Sequence, residues 1–432
     1  MINKIHFTSK KKVHFMGVGG SGMAGVANLA SKMGYVVTGC DLEESTAYSN
    51  QTFHGHSKDH LKDADLLVVT PAVYFQPKKN EELVEGEKRG IALSWQEFLG
   101  KYLQKGKEVI CIAGTHGKST TTAMIGKLLE DAGFDPLVNF GANYKDWSGG
   151  SRFGKGKYFV TEADEFFDNF LNYSPDIIIL NNVEFDHPDY FKSEDQIFES
   201  FAKFIGRLIG DKVLIINDDS EGIKKLLNQA DTTGLKIIKY SLKDNNLDIN
   251  LKVLGKHNIL NALGVVALGK YLEIKDEVIK KSLETFPGIG RRMELISEKN
   301  GIKVYDDYAH HTTAIKATVD SLKEEYPESR VWAVYEAHSY SRTKALLEKY
   351  KGVFDSADKV VIGPIFKARD TEDFGIDEET ISKASGHGDI NSFSNTEEMF
   401  NFLKGNLKSG DIVLVMGAGK SYLWAREIAK LI

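Results

Sequence analysis

Apolar runs of strand length alternate with stretches of helical periodicity along almost the whole chain. The first three runs are VHFMGV, DLLVVT and EVICIAG, and each precedes a segment with helical spacing of its apolar residues. Further strands are predicted at KYFVTEA, DIIILNN, KVLIIND, KVYDDY, RVWAVYEA, KVVIGPI and DIVLVMG. This alternation is typical of α/β proteins with parallel sheets. These predicted strands are too many for one compact sheet, and we therefore expect more than one sheet.

The length of the chain predicts several domains. A chain of 432 residues exceeds what one hydrophobic core usually supports, and three domains are expected. The polar patch QKGKE at 104–108 and the Pro/Gly-rich FPGIGRR at 286–292 indicate the boundaries. We therefore predict a Rossmann-like domain at 1–106, a central P-loop ATPase domain with a mostly parallel sheet at 107–288, and a Rossmann-like domain at 289–432.

Composition and charge exclude several classes of function. The net charge is −6 and the pI about 6.1, so no global basic field exists to hold a nucleic acid. The two cysteines, Cys40 and Cys111, end apolar runs and are expected to be buried thiols. No segment approaches 18 consecutive apolar residues, and the first residues show no signal-peptide pattern. A cytoplasmic protein without membrane insertion is expected.

A glycine loop lies between the first predicted strand and the first predicted helix. Gly17, Gly19 and Gly22 of HFMGVGGSGMAGVANLA form a GxGxxG, and Asp41 follows about twenty residues later. Backbone N–H groups at such a turn can bind a pyrophosphate, while Asp41 can accept from a ribose hydroxyl. The pattern fits a nucleotide diphosphate, a dinucleotide, or a tight turn without a ligand.

The second glycine loop is the stronger signal. In ICIAGTHGKSTTTAMIGKLL, Gly114, Gly117, Lys118 and Ser119 lie where a strand gives way to a helix. Lys118 is predicted to reach the terminal phosphates of ATP, and Ser119 to ligate Mg²⁺. A generic phosphate loop also has a glycine at the position of Ile112, so the loop here is a compressed form.

Polar side chains follow the next two predicted strands. Glu162 ends the first of them and is predicted to bind Mg²⁺, because ligands bind at the carboxyl ends of strands in open α/β sheets. A solvated acidic loop is the alternative for Glu162. The second strand runs into NNVEFDHPDYF, whose possible ligands are Asn181, Asn182, Asp186, His187 and Asp189. A zinc site from His187, His310 and His311 is a weaker hypothesis, because neither a cysteine nor the spacing supports it.

The order of these motifs resembles that of the Mur ligases over nearly the whole chain. The matching segments are GVGGSGM, AGTHGKSTTT, TEADE, NNVEFDHPDYF, GKHNILNAL, FPGIGRRME, DDYAHH, HSYSRT and MGAG. The resemblance implies an ATP-dependent carboxylate–amine ligase with ATP and Mg²⁺ as cofactors. It also implies three domains: the first holds a UDP-linked substrate, the second binds ATP, and the third closes over both.

The resemblance implies a role for each matching residue. The expected catalytic groups are Lys118, Glu162, His187 and His310, and the expected metal ligands are Ser119, Glu162 and His187. The expected contacts of ATP are Gly114, Thr115, His116, Gly117, Lys118, Ser119, Thr120, Asn182, His257, Asn258, Asn261, Arg292 and Asp306. The expected substrate contacts are Gly19, Gly20, Ser21, Gly22, Asp41, His338, Ser341 and Arg342. Helix N-capping is the alternative for Asn258, and a surface arginine or a core histidine is the alternative in the C-terminal segment.

Two groups within the family share parts of this sequence. HSYSRT and MGAG resemble the members that join L-alanine to UDP-N-acetylmuramate. KNGIKVYDDYAHHTTAI and EFDH also resemble recycling members that attach L-alanyl-γ-D-glutamyl-meso-diaminopimelate to the same nucleotide sugar. We favour L-alanine as the amine substrate. Thr312 stands where both groups usually have proline, and Glu336-Ala337 where the L-alanine members have Gln-Pro, which bears on amino-acid specificity.

The implied chemistry passes through an acyl phosphate. The substrate carboxylate attacks the γ-phosphate of ATP, against a charge repulsion that Lys118 and Mg²⁺ reduce. The amine then attacks the carbonyl carbon, phosphate leaves, and His187 or His310 accepts the proton of the amine. The rival hypotheses are a folate-type polyglutamate synthetase, a non-catalytic nucleotide-sugar binding protein and a nicotinamide-dependent dehydrogenase. The first glycine loop argues against the first rival, and the intact phosphate loop against the other two. A monomer or a homodimer is expected.

Overall fold

The strands of this protein form three separate sheets. The structure, a computed structural model, describes residues 11–42, 48, 52–70, 73–74, 80–147, 149–188, 190–244 and 248–432, with the side chains of Ser21 and Asp244 left out. Within these residues the sheets have five, seven and six strands, and most neighbouring strands are parallel. The predicted three-domain α/β fold is confirmed.

The first domain is a parallel sheet with helices on its faces. Its elements are β1 (Lys12–Met16), α1 (Ser21–Lys32), β2 (Val36–Asp41), β3 (Thr52–His54), β4 (Leu66–Val69), α2 (Glu81–Lys88), β5 (Ala92–Ser94) and α3 (Trp95–Phe98), with a 3₁₀ turn at Lys58–Leu61 and a π-helical turn at Leu99–Leu103. The strand order is β3-β2-β1-β4-β5. The first glycine loop therefore leaves the central strand, where the order reverses and ligands bind in such sheets.

The second domain contains the largest sheet. Its elements are β6 (Glu108–Ala113), α4 (Lys118–Asp131), β7 (Leu137–Asn139), β8 (Ser151–Arg152), β9 (Tyr158–Glu162), β10 (Ile177–Leu180), α5 (Glu194–Ile205), β11 (Val213–Asn217), α6 (Glu221–Leu227), β12 (Lys236–Tyr240), α7 (Lys256–Tyr271) and α8 (Asp276–Thr285), with 3₁₀ turns at Phe166–Asn172 and Leu242–Asp244. The order is β12-β11-β10-β6-β9-β7-β8, and only β8 is antiparallel to its neighbour. The phosphate-loop strand β6 therefore lies between β10 and β9.

The third domain repeats the α/β pattern. Its elements are β13 (Glu294–Lys299), β14 (Ile302–Asp307), α9 (Thr312–Glu325), β15 (Val331–Tyr335), α10 (Tyr340–Ala345), β16 (Lys359–Ile362), α11 (Glu378–Ser385), β17 (Ile390–Ser392), α12 (Thr396–Asn406), β18 (Ile412–Met416) and α13 (Ser421–Leu431), with a 3₁₀ turn at Leu347–Tyr350. The order is β13-β14-β18-β15-β16-β17, and β13 pairs with β14 in the antiparallel sense.

Every strand predicted from an apolar run is present. These strands lie inside the sheets with helices on both faces, so their residues are buried on both sides and read as continuous apolar runs. Most of the remaining strands are short or lie at sheet edges, as the two-residue β8 and the half-exposed β12 do, and carry no apolar run that would have predicted them. The exception is β2, which has six residues, lies between β3 and β1, and contains the apolar run that ends at Cys40.

One hydrophobic cluster spans the first two domains. Phe98 of α3 belongs to the same buried cluster as Phe170 and Phe204, whose rings stack with centroids 4.3 Å apart. Gly100 lies so close to the second domain that a Cβ atom there would be 2.2 Å from the carbonyl oxygen of Asn172. Because only glycine allows this approach, the contact fixes the two domains against each other.

Ile112 stands at the position where a generic phosphate loop has its first glycine. Here the strand β6 continues through that position. The Ile112 side chain is fully buried, and its backbone is in register with Ile179 on one side and Glu162 on the other. The first residue that needs a glycine conformation is Gly114, whose φ is +130°. The phosphate loop therefore begins after the strand, and Ile112 belongs to the core.

We expect Ile112→Ala to destabilise the protein by about 2–5 kcal/mol, because it removes buried methyl groups and leaves a cavity. Ile237→Ala is the control, since Ile237 lies on the edge strand β12 and is 37% exposed. That change should cost less than about 1 kcal/mol. Urea unfolding followed by circular dichroism compares the two variants. Equal losses in both would contradict a core role for Ile112.

Candidate active site

The phosphate loop is built around two glycines in the left-handed region. Gly114 has a φ of +130° and Gly117 a φ of +81°. A Cβ atom on Gly114 would lie 2.8 Å from the carbonyl oxygen of Asn182, and one on Gly117 would lie 2.4 Å from Asn261 Oδ1. Conformation and space therefore both require glycine at these two positions.

Lys118 begins helix α4 and is held among carboxylates. Its Nζ donates to the Gly114 carbonyl oxygen at 2.6 Å and to Glu165 Oε2 at 2.9 Å, and lies 4.0 Å from Asp164 Oδ1. Burial favours the neutral amine, but the charges of Glu165 and Asp164 outweigh it and raise the pKa of Lys118. The ammonium group is thus charged and curled over its own loop, where a phosphate would compete for it. Ser119, Thr120 and the rest of α4 follow directly.

Two asparagines that follow β10 hold the phosphate loop through hydrogen bonds. Asn182 Oδ1 accepts from the His116 N–H at 2.8 Å, and its Nδ2 donates to the His116 carbonyl oxygen at 3.1 Å. Asn181 Nδ2 donates to Thr121 Oγ1 at 3.0 Å. Thr115 Oγ1 accepts from the Glu184 N–H at 2.8 Å. The loop is therefore preorganised by the neighbouring strand.

The side-chain amides of Asn258 and Asn261 on α7 lie next to the phosphate loop. Asn261 Nδ2 donates to Asn258 Oδ1 at 3.1 Å, Asn258 Nδ2 donates to the Leu254 carbonyl oxygen at 2.7 Å, and both residues are 5% exposed. The N-cap of α7 is Gly255, without a side-chain cap, so the N-capping alternative for Asn258 is wrong. Nearby, burial and the Arg292 charge lower the pKa of His257 to about 4.

Acidic residues surround the loop at the carboxyl end of β9. Glu162 Oε2 accepts from the Gly141 N–H at 3.0 Å. Its Oε1 is buried and, among the described residues, has no hydrogen-bond partner, and the same holds for Glu165 Oε1. Asp164, Glu165 and His187 bring potential ligand atoms within 4.8 Å of one another. Hard oxygen atoms without partners beside a phosphate loop are suited to Mg²⁺.

Arg342 of the third domain bridges to the second domain. Its Nη2 donates to His187 Nδ1 at 3.2 Å, its Nη1 donates to His338 Nδ1 at 3.3 Å, and its Nε pairs with Asp186 Oδ1 at 3.2 Å. Burial alone would raise the pKa of Asp186, but its neighbours His187 and Arg342 outweigh burial and hold that pKa below the usual range. His187 itself has a φ of +55°. Asp189 lies outside the described residues.

A second contact joins the same two domains beside His116. Thr313 Oγ1 donates to Glu184 Oε2 at 2.8 Å, and His311 Nε2 donates to the Phe185 carbonyl oxygen at 3.2 Å. Burial and His116 lower the pKa of His311 to about 4. Of the described side chains, those that approach His311 as possible metal ligands are His116 and Glu184. The weaker zinc hypothesis, with His187 and His310 as its other ligands, is therefore wrong.

The predicted substrate-side groups of the third domain lie close together. The ring centroids of His310 and His338 are 6.0 Å apart, and His310 Nδ1 donates to the Tyr308 carbonyl oxygen at 3.0 Å. Burial and the charge of Arg342 lower the pKa of His310 well below the usual value, and that of His338 to about 4. Ser341 Oγ donates to Asp370 Oδ1 at 2.8 Å. Both imidazoles are therefore neutral near pH 7.

The partner of Asp306 is Arg291, a residue that the sequence analysis missed. Arg291 Nε lies 3.3 Å from Asp306 Oδ2, and its Nη2 donates to the Gly417 carbonyl oxygen at 2.7 Å. The predicted Arg292 lies over the Tyr308 ring, 5.0 Å from its centroid, and Arg291 lies over the same ring at the same distance. The contact with Asp306 is what distinguishes Arg291, whose φ is +59°.

The first glycine loop is held by the end of β2. The Gly17 N–H donates to the Cys40 carbonyl oxygen at 2.8 Å, and the Gly19 N–H donates to Asp41 Oδ2 at 2.7 Å. Gly20 precedes α1, while the predicted Ser21 side chain lies outside the described residues. A Cβ on Gly22 would contact the Trp95 ring at 3.7 Å, an ordinary packing distance. Asp41 thus holds the first glycine loop through its carboxylate.

Comparison with known proteins assigns a family to this arrangement. The model of the Mur ligase family catalytic domain matches 12–107, that of the Mur ligase middle domain matches 112–269, and that of the Mur ligase glutamate ligase domain matches 291–419. The UDP-N-acetylmuramate--L-alanine ligase of Acetivibrio thermocellus is 36% identical over 446 residues, covering 95% of this chain and 94% of the relative. The chain belongs to the Mur ligase family. Members of this family use ATP, so the predicted ATP-dependent ligase is confirmed.

Two further proteins resemble this Mur ligase over their full lengths. The protein of the same name from Clostridium acetobutylicum is 34% identical over 440 residues, covering 95% of each chain. The crystal structure of the UDP-N-acetylmuramate-alanine ligase of Thermotoga maritima matches with a TM-score of 0.77 at 25% identity, covering 97% of this chain and 98% of that chain. The similarity therefore extends across all three domains.

In the part of this Mur ligase that the structure describes, no helix is both long enough and apolar enough to cross a membrane.

The pH dependence of stability tests the environment of Asp306. Burial, with the charges of Asp307 and Glu294, outweighs the attraction of Arg291 and raises its pKa to about 6 from a usual 3.8. Between these values the folded state keeps a proton that the unfolded state releases, so this group's contribution to stability falls as pH rises. We expect Asp306→Asn to gain up to about 3 kcal/mol relative to wild type between pH 4 and pH 7. Parallel pH profiles of urea unfolding would contradict the assignment.

Proposed function

We propose that this Mur ligase joins L-alanine to UDP-N-acetylmuramate through an amide bond, with ATP as the phosphoryl donor. The observation that carries the proposal is the placement of Lys118, Glu162, His187 and Arg342 at one edge of the central sheet. Lys118 and Arg342 are positively charged and lie beside a phosphate loop, as transfer of a phosphoryl group to a carboxylate requires. The named relatives supply the identity of the two substrates.

Lys118 is proposed to hold the transferring phosphoryl group. Its ammonium group now donates to the Gly114 carbonyl oxygen and to Glu165, two acceptors that a phosphate could replace. Because the loop is fixed by Asn181 and Asn182, its N–H groups need little rearrangement to bind phosphate oxygens. The substrate carboxylate then attacks the γ-phosphorus, ADP leaves, and an acyl phosphate results.

Glu162, Ser119 and His187 are the proposed metal group. The buried Oε1 of Glu162 lacks a partner among the described residues and lies at the carboxyl end of β9, next to the loop. Bound Mg²⁺ would neutralise charge on the phosphates during transfer. Glu165 and Asp164 would then be released from part of their contact with Lys118 and could hold the metal indirectly, through water.

His310 suits the role of general base better than His187. The Nδ1 of His187 accepts from Arg342, which occupies one lone pair of the ring. His310 donates through Nδ1 to the Tyr308 carbonyl oxygen, so its neutral ring carries a lone pair on Nε2. The proton lost when the amine of L-alanine attacks the acyl phosphate would move to this nitrogen, and phosphate would leave.

The contacts between the second and third domains support the proposed closure over the substrates. Arg342 reaches Asp186 and His187, and Thr313 reaches Glu184, so the third domain covers the edge of the central sheet. Excluding water there would protect the acyl phosphate from hydrolysis. We retain 1–106, 107–288 and 289–432 as the proposed domains, a cytoplasmic location where ATP and nucleotide sugars are made, and a monomer or homodimer as the proposed state.

The test of the proposed function compares amine substrates. Phosphate release is measured with ATP, Mg²⁺ and UDP-N-acetylmuramate, adding L-alanine, glycine, L-serine or L-alanyl-γ-D-glutamyl-meso-diaminopimelate, and the product mass is determined. We expect the highest kcat/KM with L-alanine. Turnover with the tripeptide alone would assign the recycling reaction instead, and no turnover with any amine would contradict the proposal.

Lys118→Ala should lower kcat/KM by about 100- to 1,000-fold, because a positive charge aimed at the transferring phosphoryl group is lost. Lys127→Ala is a matched control, since Lys127 lies on the same helix and pairs with Asp131 at 2.5 Å, away from the loop. It should retain near wild-type kcat/KM. Similar losses in the two variants would contradict the role of Lys118.

Glu162→Gln should raise the Mg²⁺ concentration needed for half-maximal rate by about 10- to 100-fold. Glutamine can still accept from the Gly141 N–H, so the change removes charge while keeping the shape of the site. Glu108→Gln is the control, because Glu108 starts β6 at the opposite end of the sheet. An unchanged Mg²⁺ dependence in Glu162→Gln would exclude it as a ligand.

A further inference from the structure

The first domain buries a second group of polar side chains that the proposed reaction does not use. It consists of His14 on β1, Cys40 at the end of β2, His56 and His60 between β3 and β4, and Glu82 on α2. The His14 and Glu82 side chains are 0% exposed, and that of His60 is 13% exposed. We call these five residues the His–Cys–Glu cluster.

The carboxylate of Glu82 is the centre of the cluster. Its Oε1 lies 2.8 Å from His14 Nε2 and 3.4 Å from His60 Nδ1. Its Oε2 lies 3.3 Å from Cys40 Sγ and 3.7 Å from His56 Nδ1. Three imidazoles and one thiol therefore converge on one fully buried carboxylate.

Hydrogen bonds within the described structure leave this cluster incomplete. His14 Nε2, His60 Nδ1 and Glu82 Oε1 are all buried, and none of the three has a hydrogen-bond partner of acceptable geometry among the described residues. Buried polar atoms without partners are uncommon in folded proteins, because each forfeits its interaction with water. Three such atoms facing one another are potential ligands that a shared cation would satisfy.

The distances within the cluster are close to those in the ligand shell of a tetrahedral metal ion. Ligands at zinc bond lengths of roughly 2.0–2.3 Å lie about 3.3–3.8 Å from one another in a tetrahedron. His14, Cys40, His60 and Glu82 each offer one ligand atom, and the four atoms lie within 4.8 Å of one another. The separation of His60 Nδ1 from Glu82 Oε1, 3.4 Å, is that of a tetrahedral edge. His14 Nε2 lies 2.8 Å from the same oxygen, so these two atoms must move apart by about 0.5 Å to admit the ion.

Surrounding residues orient the ligands as in structural metal sites. His14 Nδ1 is hydrogen-bonded to Thr38 Oγ1 at 2.7 Å, which directs the lone pair of Nε2 toward the cluster when Nδ1 carries the proton. The Phe53 ring stacks on the His60 ring with centroids 4.6 Å apart. His56 Nδ1 lies 3.1 Å from Cys40 Sγ and completes the polar shell beside the thiol.

We propose that His14, Cys40, His60 and Glu82 bind one Zn²⁺ ion. Two imidazole nitrogens, a thiolate and a carboxylate form a mixed set that suits zinc, whereas Mg²⁺ and Ca²⁺ prefer oxygen ligands alone. Binding releases the thiol proton of Cys40, and the metal keeps its oxidation state. The partial exposure of His60 provides an entry path, and four protein ligands leave no open position for catalysis.

The site would stabilise the first glycine loop. The carbonyl oxygen of Cys40 accepts from the Gly17 and Val18 N–H groups, and the adjacent Asp41 accepts from the Gly19 N–H. A metal on the Cys40 side chain would hold the end of β2 against α2 and the turn at Lys58–Leu61. This role does not depend on the reaction proposed above.

The experiment uses the full chain purified without a metal-affinity tag, stripped with a chelator and then titrated with Zn²⁺ and, separately, Co²⁺. Mass spectrometry of the metal should give about one Zn²⁺ per chain after dialysis, with a raised thermal-unfolding midpoint. Co²⁺ should give the intense visible bands of a tetrahedral site and a near-ultraviolet thiolate charge-transfer band. Absence of stoichiometric Zn²⁺, or Co²⁺ spectra of an octahedral site without thiolate, would overturn the proposal.

Matched cysteine variants assign the site. Cys40→Ala should remove the thiolate band and weaken Zn²⁺ binding by about 100-fold or more. Cys111→Ala removes the other buried cysteine, on β6, and should bind Zn²⁺ as wild type does. Glu82→Gln is a further ligand variant. If the ligand variants fail to fold, the Co²⁺ spectrum of Cys111→Ala still decides, because an unchanged thiolate band leaves Cys40 as its source and a lost band overturns the site.

Discussion

The ion pair between Lys118 and Glu165 is the interaction on which the arrangement of the active site depends. Glu165 is 1% exposed, and a carboxylate at that depth is stable only with a charged or hydrogen-bonded partner. Lys118 supplies the partner by folding over its own loop. Asp164 and Glu165 hold this lysine over its loop, and the proposed function gives the same lysine the role of binding the transferring phosphoryl group. Loop, lysine and acidic residues therefore form one electrostatic unit.

The central sheet brings the parts of this unit together. Strands β9, β6 and β10 are neighbours and parallel, so Glu162, the phosphate loop and the asparagines after β10 emerge at one edge. Arg342 adds a positive charge from the third domain beside Asp186. The negative charge of Asp186 in the second domain is therefore balanced by Arg342 in the third domain. Movement of the third domain would therefore change the electrostatics of the phosphate site directly.

The sequence predicts those features that local patterns encode. Buried parallel strands read as apolar runs, and the phosphate loop carries its lysine at a fixed offset, so the fold and the position of Lys118 at the start of α4 could be predicted. The role of Lys118 stays a prediction. The pairings between residues that are far apart in the sequence could not be predicted. Nothing in the order of residues indicates that Arg291 rather than Arg292 reaches Asp306, or that Glu165 holds Lys118. The Cys40 thiol was predicted to be buried.

The partners of Cys40 show the same limit. Glu82 and His56 are distant from Cys40 in the sequence, and the fold of the first domain places their side chains beside its thiol. Helix N-capping, the alternative considered for Asn258, is wrong for a related reason. Its side chain bonds to the Leu254 carbonyl oxygen and to Asn261 in a buried network, which outweighs the local preference of asparagine for helix ends.

The most direct test of the acyl-phosphate mechanism traces the oxygen atoms of the substrate carboxylate into the products. UDP-N-acetylmuramate labelled with ¹⁸O in its carboxylate is converted with ATP and L-alanine, and the phosphate and the product are examined by mass spectrometry. Attack of the carboxylate on ATP predicts one labelled oxygen in the phosphate for each amide formed, with the other retained in the amide. Unlabelled phosphate accompanying amide formation would contradict the acyl-phosphate account.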